Sequence, residues 1–284
     1  MNLRTALLQG TQLLEEAAIA VPRLTAEVLL SHALKCERWY LYAHPERELT
    51  GEEESRYDEV LAQRATGMPS QYITGHQEFW GLDFIVSPAV LIPRPETEHL
   101  VETVLELARD VPHPKIVDVG TGSGCIALAL AHELKGAEVY AVDLSPEALE
   151  IAHANAVRLQ LERSVRFMRS NVLEALVKTS DFDYVVSNPP YVGFDEADKV
   201  QRSVRDFEPR MAVFAGEQGL DVIGPLVQQA LQVLKPGGWL AMEIGYSMRD
   251  AVLNLLSPTM WEDVRVVPDL QGIPRVIAAR KPHE

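Results

Sequence analysis

The chain has 284 residues, 47% apolar and 24% charged, with a net charge of −15, the composition of a folded globular protein with core enough for a large domain and a small one. The acidic balance argues against broad binding to phosphate backbones, which Lys and Arg drive, and the apolar content excludes a disordered chain. No apolar run reaches the length of a membrane span, and Met1 to Gly10 carries neither a secretory core nor a transit pattern, so a cytoplasmic protein without membrane partners is expected. Cys36 and Cys125 stand far apart; neither disulfide nor metal is expected.

Apolar residues recur at three and four spacing through Leu3, Leu7, Leu8, Leu13 and Leu14, then Val28, Leu29 and Leu34, which predicts helices. Thr50-Gly-Glu-Glu predicts a capped helix through Val60 and Leu61. From Gly75 the pattern changes to Phe79, Trp80, Leu82, Phe84, Ile85 and Val86 with Gly81 as turn, a β-hairpin. A helix is predicted from Pro93-Arg-Pro-Glu-Thr-Glu through Leu107. Beyond Pro114 come strand KIVDVG, a helix from Cys125, strand EVYAVD, a helix from Pro146, strands VRFMRS and FDYVVS, a helix over about 220–234, and strand WLAMEIG. This alternation predicts an α/β fold, a mostly parallel sheet covered on both faces. VRVVPDLQGIPRVIAAR leaves no room for a crossover helix, so it is predicted to close the sheet as an antiparallel hairpin. The expected divisions are a helical domain over 1–74, a hairpin linker over 75–93 and a Rossmann-like domain over 94–284.

In a doubly wound sheet, ligands bind beyond the carboxyl ends of the strands near the switch point. The first such end is Asp118-Val-Gly-Thr-Gly-Ser-Gly124, where Gly120, Thr121, Gly122, Ser123 and Gly124 let the backbone approach a ligand. A dinucleotide fingerprint would need a small residue at position 125, which is Cys, and no Gly-Lys-Ser/Thr follows for a P-loop. A nucleoside without pyrophosphate remains, and Asp143, ending the second strand, can accept both ribose hydroxyls. S-adenosylmethionine suits that pair. Asp118 is expected near its ammonium group, favouring it directly or through water.

The fourth strand delivers Asn188-Pro-Pro-Tyr191 to the same edge. A planar amino group conjugated to a carbonyl or ring is a poor nucleophile and has to be held in line. The Asn188 side-chain oxygen can accept one of its N–H groups and the Pro189 carbonyl the other. Pro189 and Pro190 carry no backbone N–H to compete, and the Tyr191 ring can pack on the flat face of the bound group. This clamp suits a glutamine amide and an adenine amine equally.

Seven segments in unbroken order, PSQYITGHQEFWGLDFIVSPAVLIPRPETEHLV, DVGTGSG, AVDLSPEAL, SNPPYV, FEPRMAVFAGEQGLD, LKPGGWLAMEIG and QGIPRV, resemble the HemK/PrmC family, the N5-glutamine methyltransferases of peptide-chain release factors. Leu91-Ile-Pro-Arg-Pro-Glu-Thr-Glu98 separates this chain from related ribosomal-protein glutamine enzymes, which typically read Pro-Arg-Ser-Pro-Ile there. The resemblance implies that Gly120 to Gly124, Asp143, Val172 and Asn188 contact the cofactor and that Asn188 to Tyr191 hold the glutamine of a Gly-Gly-Gln loop. Family members often have Asp before an aromatic or other apolar residue after the third strand. Here Asn171-Val172 keeps an acceptor oxygen but offers less packing to adenine.

The competing readings are an adenine-N6 methyltransferase acting on nucleic acid and a non-catalytic nucleoside-binding protein. Acidity and the lack of a nucleic-acid module count against the first, the intact motifs against the second. A monomer acting on class 1 release factors, without direct nucleic-acid contact, is the expected form. Arg94, Glu96, Glu208, Arg210 and Arg275 are expected in ion pairs, Glu243 at the pocket border, and His76 and His99 as surface or hydrogen-bonded histidines.

Overall fold

A computed structural model describes residues 1–178 and 181–283, and the chain forms two compact units. Residues 1–76 with 201–207 make the first, residues 77–200 with 208–284 the second. No helix among the described residues is long and apolar enough to cross a membrane.

The first unit is helical: Leu3–Glu16, Pro22–Leu34, Arg38–Ala43, Gly51–Ala65, Ser70–Thr74 and Arg202–Phe207. Leu3, Leu7, Leu14, Leu29, Leu30, Tyr57 and Leu61 form its core. Leu8 and Leu13 do not join them. They are 61% and 40% exposed, because five leucines in fourteen residues span more than the single stripe a helix buries. Thr50 and Glu53 close a reciprocal capping box on Gly51–Ala65, satisfying two otherwise orphaned N–H groups.

In the second unit, strands β1 (His76–Phe79) and β2 (Leu82–Ile85) form the expected hairpin, turning at Trp80 and Gly81, both with positive φ, the twist two-residue hairpins favour. The main sheet comprises β3 (Lys115–Val119), β4 (Glu138–Asp143), β5 (Val165–Arg169), β6 (Phe182–Ser187), β7 (Leu234–Glu243), β8 (Glu262–Pro268) and β9 (Pro274–Arg280). Its order is β5-β4-β3-β6-β7-β9-β8. β9 runs antiparallel to both neighbours and the other pairs are parallel. β7 begins earlier than WLAMEIG because Leu234 pairs with Phe182 before a register shift leads to Trp239 opposite Tyr184.

Successive strand residues face opposite layers. Ile116, Ala141, Val186 and Ala278 pack with the helices Glu98–Leu107 and Cys125–Glu133 and with Phe79 and Phe84 of the hairpin. Val117, Val142, Val185 and Ile277 pack under Ile223–Val233 and Arg249–Leu255. Helix Arg249–Leu255 carries no legible sequence signal, since it buries Val252 alone.

Asn155, fully buried in helix Pro146–Arg158, joins hairpin and sheet. Its Oδ1 accepts from Ile85 N at 2.7 Å, and its Nδ2 donates to the carbonyls of Ile85 and Ser123, each at 2.9 Å. Asn155→Leu strands three backbone groups and should destabilise the unit by about 2–4 kcal/mol, read as a lower midpoint in urea; an unchanged midpoint would show that the tie is dispensable.

Candidate active site

The chain leaves β3, β4 and β5 on one side of the sheet and resumes with β6 on the other, so β3 and β6 flank the switch point. Val119 is level with Ser187, and Ser187 Oγ donates to the Val119 carbonyl at 2.7 Å. That contact joins the end of the glycine loop's strand to the start of the Asn-Pro-Pro-Tyr turn. Between them lies a cavity lined by residues at and just beyond the carboxyl ends of four parallel strands: Gly120 to Ser123, Asp143 to Ser145, Ser170 to Val172 and Ser187 to Pro190. Pro93, Arg94 and Thr97 line it from the segment before Glu98–Leu107.

The glycine loop is held by backbone bonds from Gly120 N and Thr121 N to the Val142 carbonyl. A Cβ on Gly120, at φ +71°, would meet nothing within 4 Å, so the loop leaves an open cradle for a ligand. Gly124 differs: it does not line the cavity, and a Cβ there would press on Leu128 and Ala152 at 3.1 and 3.2 Å. The absence of a side chain there permits close helix packing.

Asp118 also lies behind the cavity rather than in its wall, wholly buried. Its Oδ2 accepts from Thr121 Oγ1 at 2.6 Å and from Ala127 N at 3.2 Å. These two bonds tie the Asp118 carboxyl to the glycine loop and to the first turn of helix Cys125–Glu133. Its Oδ1 is buried without a hydrogen-bond partner, an environment suited to a nearby cation. Asp143 does line the cavity; Gly122 N and Ser145 N each donate to one of its oxygens at 2.9 Å. Burial raises its pKa.

Asn171 and Val172 both line the cavity. Asn171 Nδ2 donates to Glu174 at 2.8 Å, which leaves Oδ1 as the end available for an amino group. Val172 has φ +51°, a strained conformation for a β-branched residue that costs on the order of 1–3 kcal/mol.

Asn188, Pro189 and Pro190 face the cavity, but Tyr191 does not. Its ring packs against the second core layer and its hydroxyl donates to Glu243 Oε1 at 3.4 Å. Behind the turn, a Cβ at Gly219 would lie 2.1 Å from the Tyr191 carbonyl, and Val192 pairs with Val213 and Ala215. The chain around Gly219 thus braces the turn from behind. Asn188 Nδ2 donates to Thr97 Oγ1 at 3.0 Å, and Thr97 Oγ1 to Glu243 Oε2 at 2.6 Å. Glu243 is 2% exposed; burial lifts its pKa to about 7, against lowering by Thr97, Arg275 and Tyr191.

Among the expected ion pairs, Arg94 meets Glu208 at 2.5 Å, and Glu208 Oε2 also accepts from Ile92 N. Arg275 pairs with Asp269 at 2.9 Å, while Arg210 lies over the Phe214 ring. His76 is exposed, and half-buried His99 faces Glu102.

Residues 5–75 match the PrmC N-terminal domain and residues 96–206 the methyltransferase small domain. A release factor glutamine methyltransferase of Koribacter versatilis is 57% identical over 282 residues, covering 99% of each chain. The chain belongs to the release factor glutamine methyltransferase family. A second member, from Nitratidesulfovibrio vulgaris, is 42% identical over 99% of this chain and 95% of its own. A solved methyltransferase from Pyrococcus furiosus shares the fold at 18% identity, with a TM-score of 0.53 over 80% of this chain and 98% of that one.

Thr97, Asn155 and Gly219 escaped sequence reading, because each acts on a motif distant in the chain. For Thr97 the signal present was its place in the Leu91–Glu98 segment, one of those that carry the resemblance.

Burial holds the Asp118 carboxyl at about 7, against lowering by Thr121 and Ala127. The native state therefore keeps a proton that the unfolded chain loses in the ordinary carboxyl range, and this contribution to stability is lost as pH rises toward about 7. Asp118→Asn does not titrate, so the melting temperature of the variant minus that of the parent should grow from about pH 5 to about pH 8, by about 2–4 °C per kcal/mol. Calorimetry across the range checks this; a difference constant with pH would assign Asp118 an ordinary pKa.

Proposed function

We propose that this protein methylates the side-chain amide nitrogen of the glutamine in the Gly-Gly-Gln loop of class 1 peptide-chain release factors, with S-adenosylmethionine as methyl donor. The observation that carries the reading is the bond from Asn188 Nδ2 to Thr97, which leaves Asn188 Oδ1 as acceptor at the cavity beside the glycine loop.

The donor supplies a methyl group on a positively charged sulfur. Gly120, Thr121, Gly122 and Ser123 would cradle it; Asp143 would accept its ribose hydroxyls; Asn171 Oδ1 and Val172 would meet its base; Asp118 would favour its ammonium group through charge. Asn188 Oδ1 and the Pro189 carbonyl would accept the two N–H bonds of the substrate amide, aligning a nitrogen whose lone pair is delocalised. Pro189 and Pro190 add no competing donor, and Tyr191 supports the turn from its buried side. The methylated nitrogen is strongly acidic until it sheds a proton, so a strong general base is not required.

The helical segment 1–74 is proposed to dock the release factor and segment 94–284 to carry the chemistry, with the hairpin of 75–93 between them. The enzyme is proposed to act in the cytoplasm as a monomer without contacting nucleic acid directly.

Asn188→Ala should reduce methyl transfer to a release factor at least about 100-fold while changing donor affinity less than about threefold. Equal losses in turnover and donor binding would remove Asn188 from substrate positioning. Mass spectrometry of the treated release factor should show one added methyl on the glutamine side chain. Equal labelling of a Gln-substituted factor, or labelling of DNA, would refute the proposed substrate.

A further inference from the structure

An asparagine amide is nearly symmetric in shape, and its terminal torsion has two wells of similar energy. Turned the wrong way, Asn188 would offer N–H groups to the N–H groups of its substrate. One feature breaks the tie. The Thr97 hydroxyl has a single hydrogen, donated to Glu243 Oε2 at 2.6 Å, so toward Asn188 it can only accept, and the amide presents Nδ2 to it at 3.0 Å. Glu243, when ionised, accepts only and receives Tyr191 as well. The polarity therefore runs from Asn188 to Thr97 to Glu243.

We infer that Thr97 and Glu243 are positioning residues that select which end of the Asn188 amide faces the substrate. This rests on the two-acceptor reading above and extends it to residues that need not touch the substrate. Thr97 comes from the segment before helix Glu98–Leu107, Glu243 from the end of β7 and Asn188 from the end of β6, so the relay joins three parts of the second unit.

The test compares Thr97→Val, Thr97→Ser, Glu243→Leu and the double variant Thr97→Val/Glu243→Leu at about pH 8. Thr97→Val keeps side-chain shape but loses the hydroxyl; it should lower kcat about 10–100-fold with donor affinity within about threefold, while Thr97→Ser stays within about threefold of the parent. Glu243→Leu frees the Thr97 hydrogen to turn toward Asn188 and should lower kcat comparably. The double variant should be no slower than the worse single one, as for residues acting as a unit. A Thr97→Val enzyme as fast as the parent, a Thr97→Ser enzyme as slow as Thr97→Val, or losses that multiply in the double variant would overturn the inference.

A second readout needs no turnover. The Asn188 side-chain N–H resonances should be protected from exchange in the parent and unprotected in Thr97→Val. Protection in a parent that transfers no methyl would sink the proposed function and leave the inference standing. An unprotected amide in an active parent would sink the inference alone.

Discussion

The parallel pairing of β3 with β6 is the constraint on which the site depends. It sets Val119 level with Ser187, and the Ser187 hydroxyl then bonds the Val119 carbonyl, so two motifs far apart in sequence end at one height on one edge. Strand order supplies the opening between them, because the connections from β3 and β6 depart to opposite sides. Loops of any chemistry would be gathered here. The glycine loop and the Asn-Pro-Pro turn make the gathering useful.

Around that opening some polar groups line the cavity and others are buried behind it. Asp143, Asn171 and Asn188 face the cavity. Asp118, Asn155 and Glu243 are nearly or wholly buried, and each spends its hydrogen bonds on the backbone or a neighbouring side chain. A buried carboxylate without such partners would be costly. Asp118 and Glu243 carry part of that cost in carboxyl groups raised to about 7, and Val172 adds backbone strain at the same cavity. Local cost of this kind concentrates where geometry is dictated by function.

The segment Arg94–Glu98 ties distant parts of the second unit together. Arg94 pairs with buried Glu208, Thr97 joins Asn188 to Glu243, and Glu98 accepts the Trp80 backbone N–H. Each side chain binds a different part of the second unit, so the segment fixes the Asn-Pro-Pro turn and the hairpin together.

The strand and helix alternation, the terminal antiparallel hairpin and the two motifs were legible in the amino-acid sequence because local periodicity and turn chemistry report on them directly. The sequence alone also determined which residues could bind a nucleoside and orient an amino group, since those capacities belong to the side chains themselves. Tertiary structure decided which of them face the cavity. It set Asp118 and Gly124 outside the cavity lining and the Tyr191 ring against the second core layer, and left Leu8 and Leu13 exposed on their helix. It also recruited Thr97 and Asn155, whose partners lie 91 and 70 residues away in the chain. No local pattern encodes such a partner, because which end of an amide is free depends on the donor or acceptor that the folded chain brings to its other end.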